Sequence, residues 1–288
     1  MTPPPILIDD ADDPRLQEYR QLRENRLPRP IEGAPHGVFI AEGEKVVRLL
    51  LGSRRYRTRS LLLCERRLAL EADVLQAVPA GVPVYAASQA VMDAIVGFPI
   101  HRGVLASGVR SAPASAESLL HTARACLIAE AMANHDNMGG LFRVAAALGG
   151  AHADGSPAFP ILLDPTSCDP LYRKAIRVSM GHALRVPWAK LSTWPAGLRP
   201  LRDAGWTVIA LSPGPGSVRL DDLGPVDKPA LLLGAEGPGL TDAAMNSVDV
   251  RVSIPMSPGV DSLNVVTAAA IALHRLIDPH ETANPSPA

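Results

Sequence analysis

Short apolar runs alternate with amphipathic segments along most of the chain, and the alternation falls into two blocks. In the first block GVFIAEG, SLLLC, VPVYAAS and GVLASGV are apolar runs bounded by small or turn-forming residues, and they predict strands. Apolar residues at helical spacing predict helices over Glu44–Leu51, Arg67–Ala77 and Ser88–Val96. In the second block ACLIAEAM, PILLD, VPWAKL, WTVIAL, ALLLGAE and VRVSIPM predict strands. Helices are expected over Gly140–Leu148, Pro195–Ala204, Thr241–Ser247 and Leu263–Ile277. These strands are near-continuously apolar, as in a parallel sheet buried on both faces. Ahead of both blocks, PRLQEYRQLRENRL predicts a short charged helix with Leu16, Tyr19, Leu22 and Leu27 on one side.

The expected organisation is a helical extension (1–30), a smaller α/β domain (31–112), a linker (113–123), a larger α/β domain (124–280) and a disordered tail (281–288). SAPASAES (Ser111–Ser118) runs into this linker and is small, polar and Pro-containing, and the tail is polar and Pro-containing. Hydrophobic residues make up 47% of the 288 and charged residues 20%, which fits a soluble globular protein. No apolar run has the length of a membrane span. The start, MTPPPILIDDADD, is acidic and Pro-rich, unlike a signal or transit peptide. Cys64, Cys126 and Cys168 form no Cys-x-x-Cys pair, so neither a disulfide framework nor a cysteine zinc site is expected. The histidines lack metal-ligand spacing, so no metal is expected either. A reduced, cytoplasmic setting follows.

The net charge of −1 says little about partners, but its distribution does. Residues 48–67 hold Arg48, Arg54, Arg55, Arg57, Arg59, Arg66 and Arg67 against one acid, Glu65. A solvated helix end and loop would account for them. Arginine throughout, with Tyr56 among them, also suits phosphate forks and base stacking, so Arg54, Arg55, Arg57 and Arg59 are candidates for nucleic-acid contact.

Two late segments carry the clearest chemistry. LLLGAEGPGL puts Gly234, Gly237 and Gly239 around a lone Glu236. IPMSPGVDSLNVV puts Ser262, Leu263 and Asn264 at the start of an apolar helix. Glycine lets backbone approach a ligand closely. Asn264 beside Val265 and Val266 needs a partner for its amide. Both segments follow apolar runs, so they are expected as loops at the C-terminal ends of neighbouring strands, where α/β sheets bind ligands.

With DNMGGLFRVAAALG (Asp136–Gly149), these segments resemble, in order, the three motifs of the SpoU/TrmH branch of the SPOUT RNA methyltransferases. RKAIRVSMGHALRVPWA between them is similar to a fourth family segment. The likeness covers roughly residues 124–278. FIAEGEKVVRLLL and HRGVLA resemble the ends of the RNA substrate-binding domain fused to many SpoU enzymes, with Arg102 where Gln is commoner. The resemblance implies a C-terminal SPOUT domain with a parallel sheet and a deep trefoil knot, plus a smaller N-terminal α/β substrate-binding domain. It also implies transfer of a methyl group from S-adenosyl-L-methionine to a ribose 2′-hydroxyl, with the fused domain pointing to large-subunit rRNA, and a homodimer.

By the same resemblance Arg143, Asn137, Glu236, Ser262 and Asn264 form the catalytic set, with Asn137 capping the Arg143 helix and Glu236 meeting Arg143 or a ribose hydroxyl. Gly234, Gly237, Ile254, Met256 and Leu263 are expected around the cofactor, largely through backbone groups. Structural alternatives exist for several: Ser262 could cap the last helix, and Ile254 and Leu263 could be core. A tRNA substrate, or a relative that binds RNA without turnover, also fits the motifs. An NAD-dependent enzyme fits poorly, because Gly234-x-x-Gly237-x-Gly239 is not Gly-x-Gly-x-x-Gly.

Overall fold

The computed structural model describes residues 4–20, 28–97, 100, 103–151 and 158–277. Leu22, Leu27, His101, Arg102 and the expected tail 281–288 lie outside the described residues. The chain divides into two compact units after Ala112, with Leu171–Leu184 belonging to the first.

The first unit contains β1 (Ile6–Ile8), β2 (Val38–Glu42), α1 (Glu44–Leu51), β3 (Arg57–Cys64), α2 (Ala72–Gln76), β4 (Val84–Ala87), α3 (Gln89–Val96) and β5 (Val104–Val109). Its sheet runs β1-β4-β3-β5-β2, with β5 antiparallel to β2 and β3. α1 buries Val46, Val47 and Leu50, the apolar stripe read from the sequence. α3 is capped by Ser88, whose Oγ accepts from Val91 N–H, and ends at Gly97 with φ +84°. The helix expected over Arg67–Ala77 is shorter. Glu71, 1% exposed, sits at φ −106°, ψ 28° at its cap and separates α2 from a 3-10 turn at Glu65–Arg67.

The expected helical extension is also corrected. Residues 6–8 add β1 to the sheet, parallel to β4. Pro14–Tyr19 is a 3-10 helix capped by Asp13. Leu16 and Tyr19 are both fully buried, and an i, i+3 pair is what a 3-10 helix stacks on one side. Tyr19 Oη lies 2.7 Å from Ser60 Oγ and accepts from Ser107 N–H. The Glu18 carboxylate accepts from both serine hydroxyls, at 3.1 and 2.7 Å. These bonds tie the extension to β3 and β5.

The second unit begins with α4 (Ala116–Leu120), which occupies part of the expected linker; Leu119 and Leu120 pack against the core. Then come β6 (Cys126–Ala129), α5 (His135–Leu148) and β7 (Ile161–Leu163). The chain gives α6 (Arg173–Val178) to the first unit, where Arg173 Nη1 lies 2.8 Å from Glu42 Oε2. It continues as β8 (Trp188–Lys190), α7 (Arg199–Asp203), β9 (Thr207–Leu211), β10 (Val218–Arg219), β11 (Pro229–Leu233), α8 (Asp242–Met245), β12 (Val250–Ser253) and α9 (Val265–Leu276). The sheet order is β10-β12-β9-β11-β6-β7-β8, and each pairing is parallel. β6, β7 and β11 are buried throughout, as their unbroken apolar composition requires. Each fully buried Leu or Ile contributes roughly 1.5–3 kcal/mol, so the sheet is a firm platform for the loops at its ends.

After β7, Asp164 locks the turn. Its carboxylate accepts from Ser167, Thr166 and Ala131 N–H. Burial works against the charge, but the hydrogen bonds from Ser167, Thr166 and Ala131 outweigh it and hold the pKa below the usual carboxylate value.

Candidate active site

The loops after β11 and β12 open at the same edge of the sheet, but these strands are not neighbours: β9 lies between them. The loops wall a cleft of about 510 Å³. Gly234, Glu236 and Gly237 line it from the first loop, and Ile254, Met256, Ser262, Leu263 and Asn264 from the second. Because β9 intervenes, its end also lines the cleft, through Leu211, Ser212 and Pro213. The sequence reading missed these three. Strand order does not appear in a sequence, and only the Ser-Pro-Gly break after an apolar run marked a loop there.

Gly234 is needed for space. A Cβ there would come within 2.3 Å of the Gly239 carbonyl carbon and 2.4 Å of Leu240 N. The loop folds back on itself, with Gly239 N–H donating to Ala235 O at 3.0 Å.

Asn137 joins the first motif to both loops. It is 5% exposed, in the first turn of α5. Its Nδ2 donates to Glu236 Oε2 at 3.0 Å, and its Oδ1 accepts from Asn264 Nδ2 at 3.0 Å. Asn137 is therefore not the helix cap. Asn134 is, with its Oδ1 accepting from Asp136 N–H at 2.8 Å. Asn264 has two roles: besides the bond to Asn137, its Oδ1 accepts from Val266 N–H at 2.9 Å and caps α9. The cap at that helix is thus Asn264 and not Ser262.

Arg143 is exposed and does not line the cleft. Glu236 pairs with Asn137 and not with Arg143. Among the described residues no hydrogen-bond or ion-pair partner is recorded for the Arg143 guanidinium. It lies one turn beyond Gly140, where a Cβ would meet Val266 Cγ2 at 2.5 Å, so α5 and α9 approach closely at that point.

The arginine-rich stretch in the first unit is more compensated than its sequence indicates. Arg48 pairs with Glu44 and Asp73, Arg67 with Glu71, and Arg59 with Glu18. Those acids stand outside the 48–67 window. Arg57 donates to the Gly33 carbonyl at 3.0 Å, and Arg55 stacks over Tyr56 with 5.1 Å to the ring centroid. Arg54 is exposed.

Among the described residues no group of three or more His, Cys, Asp or Glu could hold a metal ion. No helix there is long and apolar enough to cross a membrane.

The model of the SpoU rRNA Methylase family matches residues 124–274. The chain belongs to this family. An uncharacterized tRNA/rRNA methyltransferase of Mycobacterium tuberculosis is 43% identical over 272 residues, covering 93% of this chain and 90% of that protein. A second, from Mycolicibacterium paratuberculosis, is 30% identical over 71% of this chain and 65% of that protein. Two solved structures share the fold at 22% identity. An AdoMet-bound rRNA methyltransferase from Sinorhizobium meliloti has a TM-score of 0.73, over 94% of this chain and 96% of that one. The SpoU methyltransferase AviRb from Streptomyces viridochromogenes, in complex with AdoMet, has a TM-score of 0.72, over 91% and 97%. The SpoU fold is therefore the expected one: a parallel sheet of the knotted SPOUT class, with a smaller N-terminal α/β domain.

Proposed function

We propose that this SpoU enzyme transfers the methyl group of S-adenosylmethionine to a ribose 2′-hydroxyl of large-subunit rRNA. The observation that carries the reading is the convergence of the three motifs, with Asn137 bonded to both loops of one cleft. The cleft falls in the size range of small-molecule sites. It combines apolar walls at Leu211, Leu233, Ile254 and Met256 with the backbone of glycine-rich turns, a suitable lining for an adenosine. Two of the solved structures with this fold carry AdoMet in their names. The resemblance of the N-terminal α/β unit to the RNA substrate-binding domain fused to many SpoU enzymes favours large-subunit rRNA in this reading, and with it a cytoplasmic enzyme.

In this reading the backbone of Gly234, Ile254 and Leu263 holds the cofactor, with Gly237 and Met256 alongside. When bound, S-adenosylmethionine supplies an electrophilic methyl on a sulfonium that departs as a neutral thioether. Arg143 holds a phosphate beside the target ribose and stabilises the developing alkoxide. Its guanidinium stays protonated, so the hydroxyl proton leaves to that phosphate or to solvent. Glu236, Ser262 and Asn264 orient the ribose, with Asn137 fixing Glu236 and Asn264. Holding reactants in line is worth roughly 7–11 kcal/mol, so little acid–base machinery is needed.

Ribose methylation mapped in total RNA from cells with and without the gene tests the proposal. One 2′-O-methyl position lost from large-subunit rRNA is the expected result. A loss confined to tRNA would refute the rRNA substrate, and no loss anywhere would refute the activity.

For the RNA grip, the test takes the three arginines that flank Tyr56, namely Arg54, Arg55 and Arg57. Replacing these three with Ala lowers the salt slope of RNA binding by about 1 per contacting arginine and leaves cofactor binding unchanged. An unchanged slope in a salt titration would reduce the patch to a solvated face. A homodimer is also part of the proposal. Most of α9's apolar face is used within the subunit, on α5 and β11, but Ile271 on α9 and Val260 and Leu263 in the loop before it remain 39–49% exposed. Light scattering is expected to give about twice the 30.4 kDa chain mass; a monomer at micromolar concentration would contradict it.

A further inference from the structure

Glu130 is an acid with 2% exposure in an otherwise apolar stretch, at the end of β6. None of the three motifs contains it. Its backbone N–H donates to Leu233 O at 2.9 Å, at the last residue before the Gly234–Leu240 loop. Its carboxylate reaches the first residue after that loop: Thr241 N–H donates to Oε2 at 2.9 Å, and Thr241 Oγ1 donates to Oε1 at 2.7 Å. One residue therefore grips both ends of a seven-residue loop. The remaining bond to Oε1 comes from Trp194 Nε1 at 2.5 Å. Thr241 Oγ1 in turn accepts from Ala244 N–H, capping α8.

We propose that Glu130 is the positioning residue for the cofactor loop, holding it closed through Thr241 while touching neither cofactor nor RNA. The inference rests on the reading that this loop binds S-adenosylmethionine. The loop's own closure is slight: one backbone bond, Gly239 to Ala235, spans it. A flexible glycine-rich loop loses much conformational entropy when ordered. Fixing its ends beforehand removes part of that loss from the binding step. A carboxylate suits the task because it is an acceptor only, and the three groups bonded to it, one backbone and two side-chain, are all donors. Glutamine of the same shape has one acceptor oxygen and sets its amide against a donor.

The test compares the full-length protein with Glu130→Gln, Thr241→Val and Thr241→Ser. It measures S-adenosylmethionine affinity by calorimetry, KM for both substrates, and thermal stability. Glu130→Gln and Thr241→Val are expected to raise the cofactor Kd and KM by about 10- to 100-fold, the effect of losing a charge-assisted bond. KM for RNA stays near wild type, and Thr241→Ser, which keeps the hydroxyl, restores cofactor affinity. If Glu130→Gln does not fold, Thr241→Val against Thr241→Ser decides. Wild-type cofactor affinity in folded Glu130→Gln or in Thr241→Val would overturn the proposal. So would equal losses for cofactor, RNA and melting temperature, since these would mark a purely structural role. If the wild-type protein itself fails to bind S-adenosylmethionine, the cofactor reading falls and takes this proposal with it.

Discussion

Arg143→Ala is expected to cut the methylation rate by roughly 10²–10⁴, the range for losing a group that stabilises developing charge. The structure makes the experiment clean. Arg143 is exposed on α5, so truncation opens no cavity, and alanine is the best helix former. The residue does not line the cofactor cleft, so S-adenosylmethionine affinity is expected to stay unchanged. No internal ion pair recorded among the described residues is lost with it. Arg143→Lys is not expected to rescue, because a point charge cannot replace a planar fork at a phosphate. Single-turnover transfer of labelled methyl to RNA, with the cofactor saturating, isolates the chemical step. Near-normal turnover in Arg143→Ala would make the residue an ordinary surface arginine and remove the mechanism built on it.

What the sequence disclosed followed from how each element is stabilised. Strands buried on both faces, such as β6, β7 and β11, must be apolar at every position, and that composition is visible without a structure. The edge strands β1 and β10 are too short to show a pattern: β1 is three apolar residues between a Pro-rich start and an acidic run, two of them exposed, and β10 is an exposed Val-Arg pair. α5 begins at His135, ahead of the expected Gly140, and its start is hidden in the sequence because three polar residues and two glycines fall among its first six. The demand for a partner at Asn264 was readable from its apolar neighbours, and Asn137 meets it. The identity of that partner was not readable, since it lies 127 residues away in the chain. The arginine cluster was misjudged for a related reason. Its balancing acids, Glu18, Glu44, Glu71 and Asp73, reach it through the fold from outside the window. Glu130 left one legible trace: a single acid at the end of an apolar run, which has to find donors or stay unpaired.

Replacing Gly234 by alanine or valine is expected to weaken S-adenosylmethionine binding by about 100-fold or more. Close approach of backbone to a ligand is one use of a glycine; the geometry gives a different cause here. Gly234 is absent from the left-handed backbone region, so conformational freedom is not what it supplies. Its Cα faces the returning arm of its own loop, where a Cβ would meet three backbone atoms of Gly239 and Leu240 at 2.3–2.6 Å. Backbone cannot swing aside as a flexible side chain can, so the loop must open. Alanine should therefore do nearly as much damage as valine, whereas a pure collision with ligand would spare alanine in part. Gly237 supplies the contrast. It sits at φ +91° with nothing within 4 Å of a Cβ, so Gly237→Ala adds strain of about 1–2 kcal/mol without a clash. Its expected loss is about tenfold. The sheet should survive all three changes, because β11 is held between β6 and β9. Circular dichroism and thermal melting check that, and calorimetry ranks the affinities. Normal cofactor affinity in a folded Gly234→Ala protein would mean that this loop does not form the cofactor site.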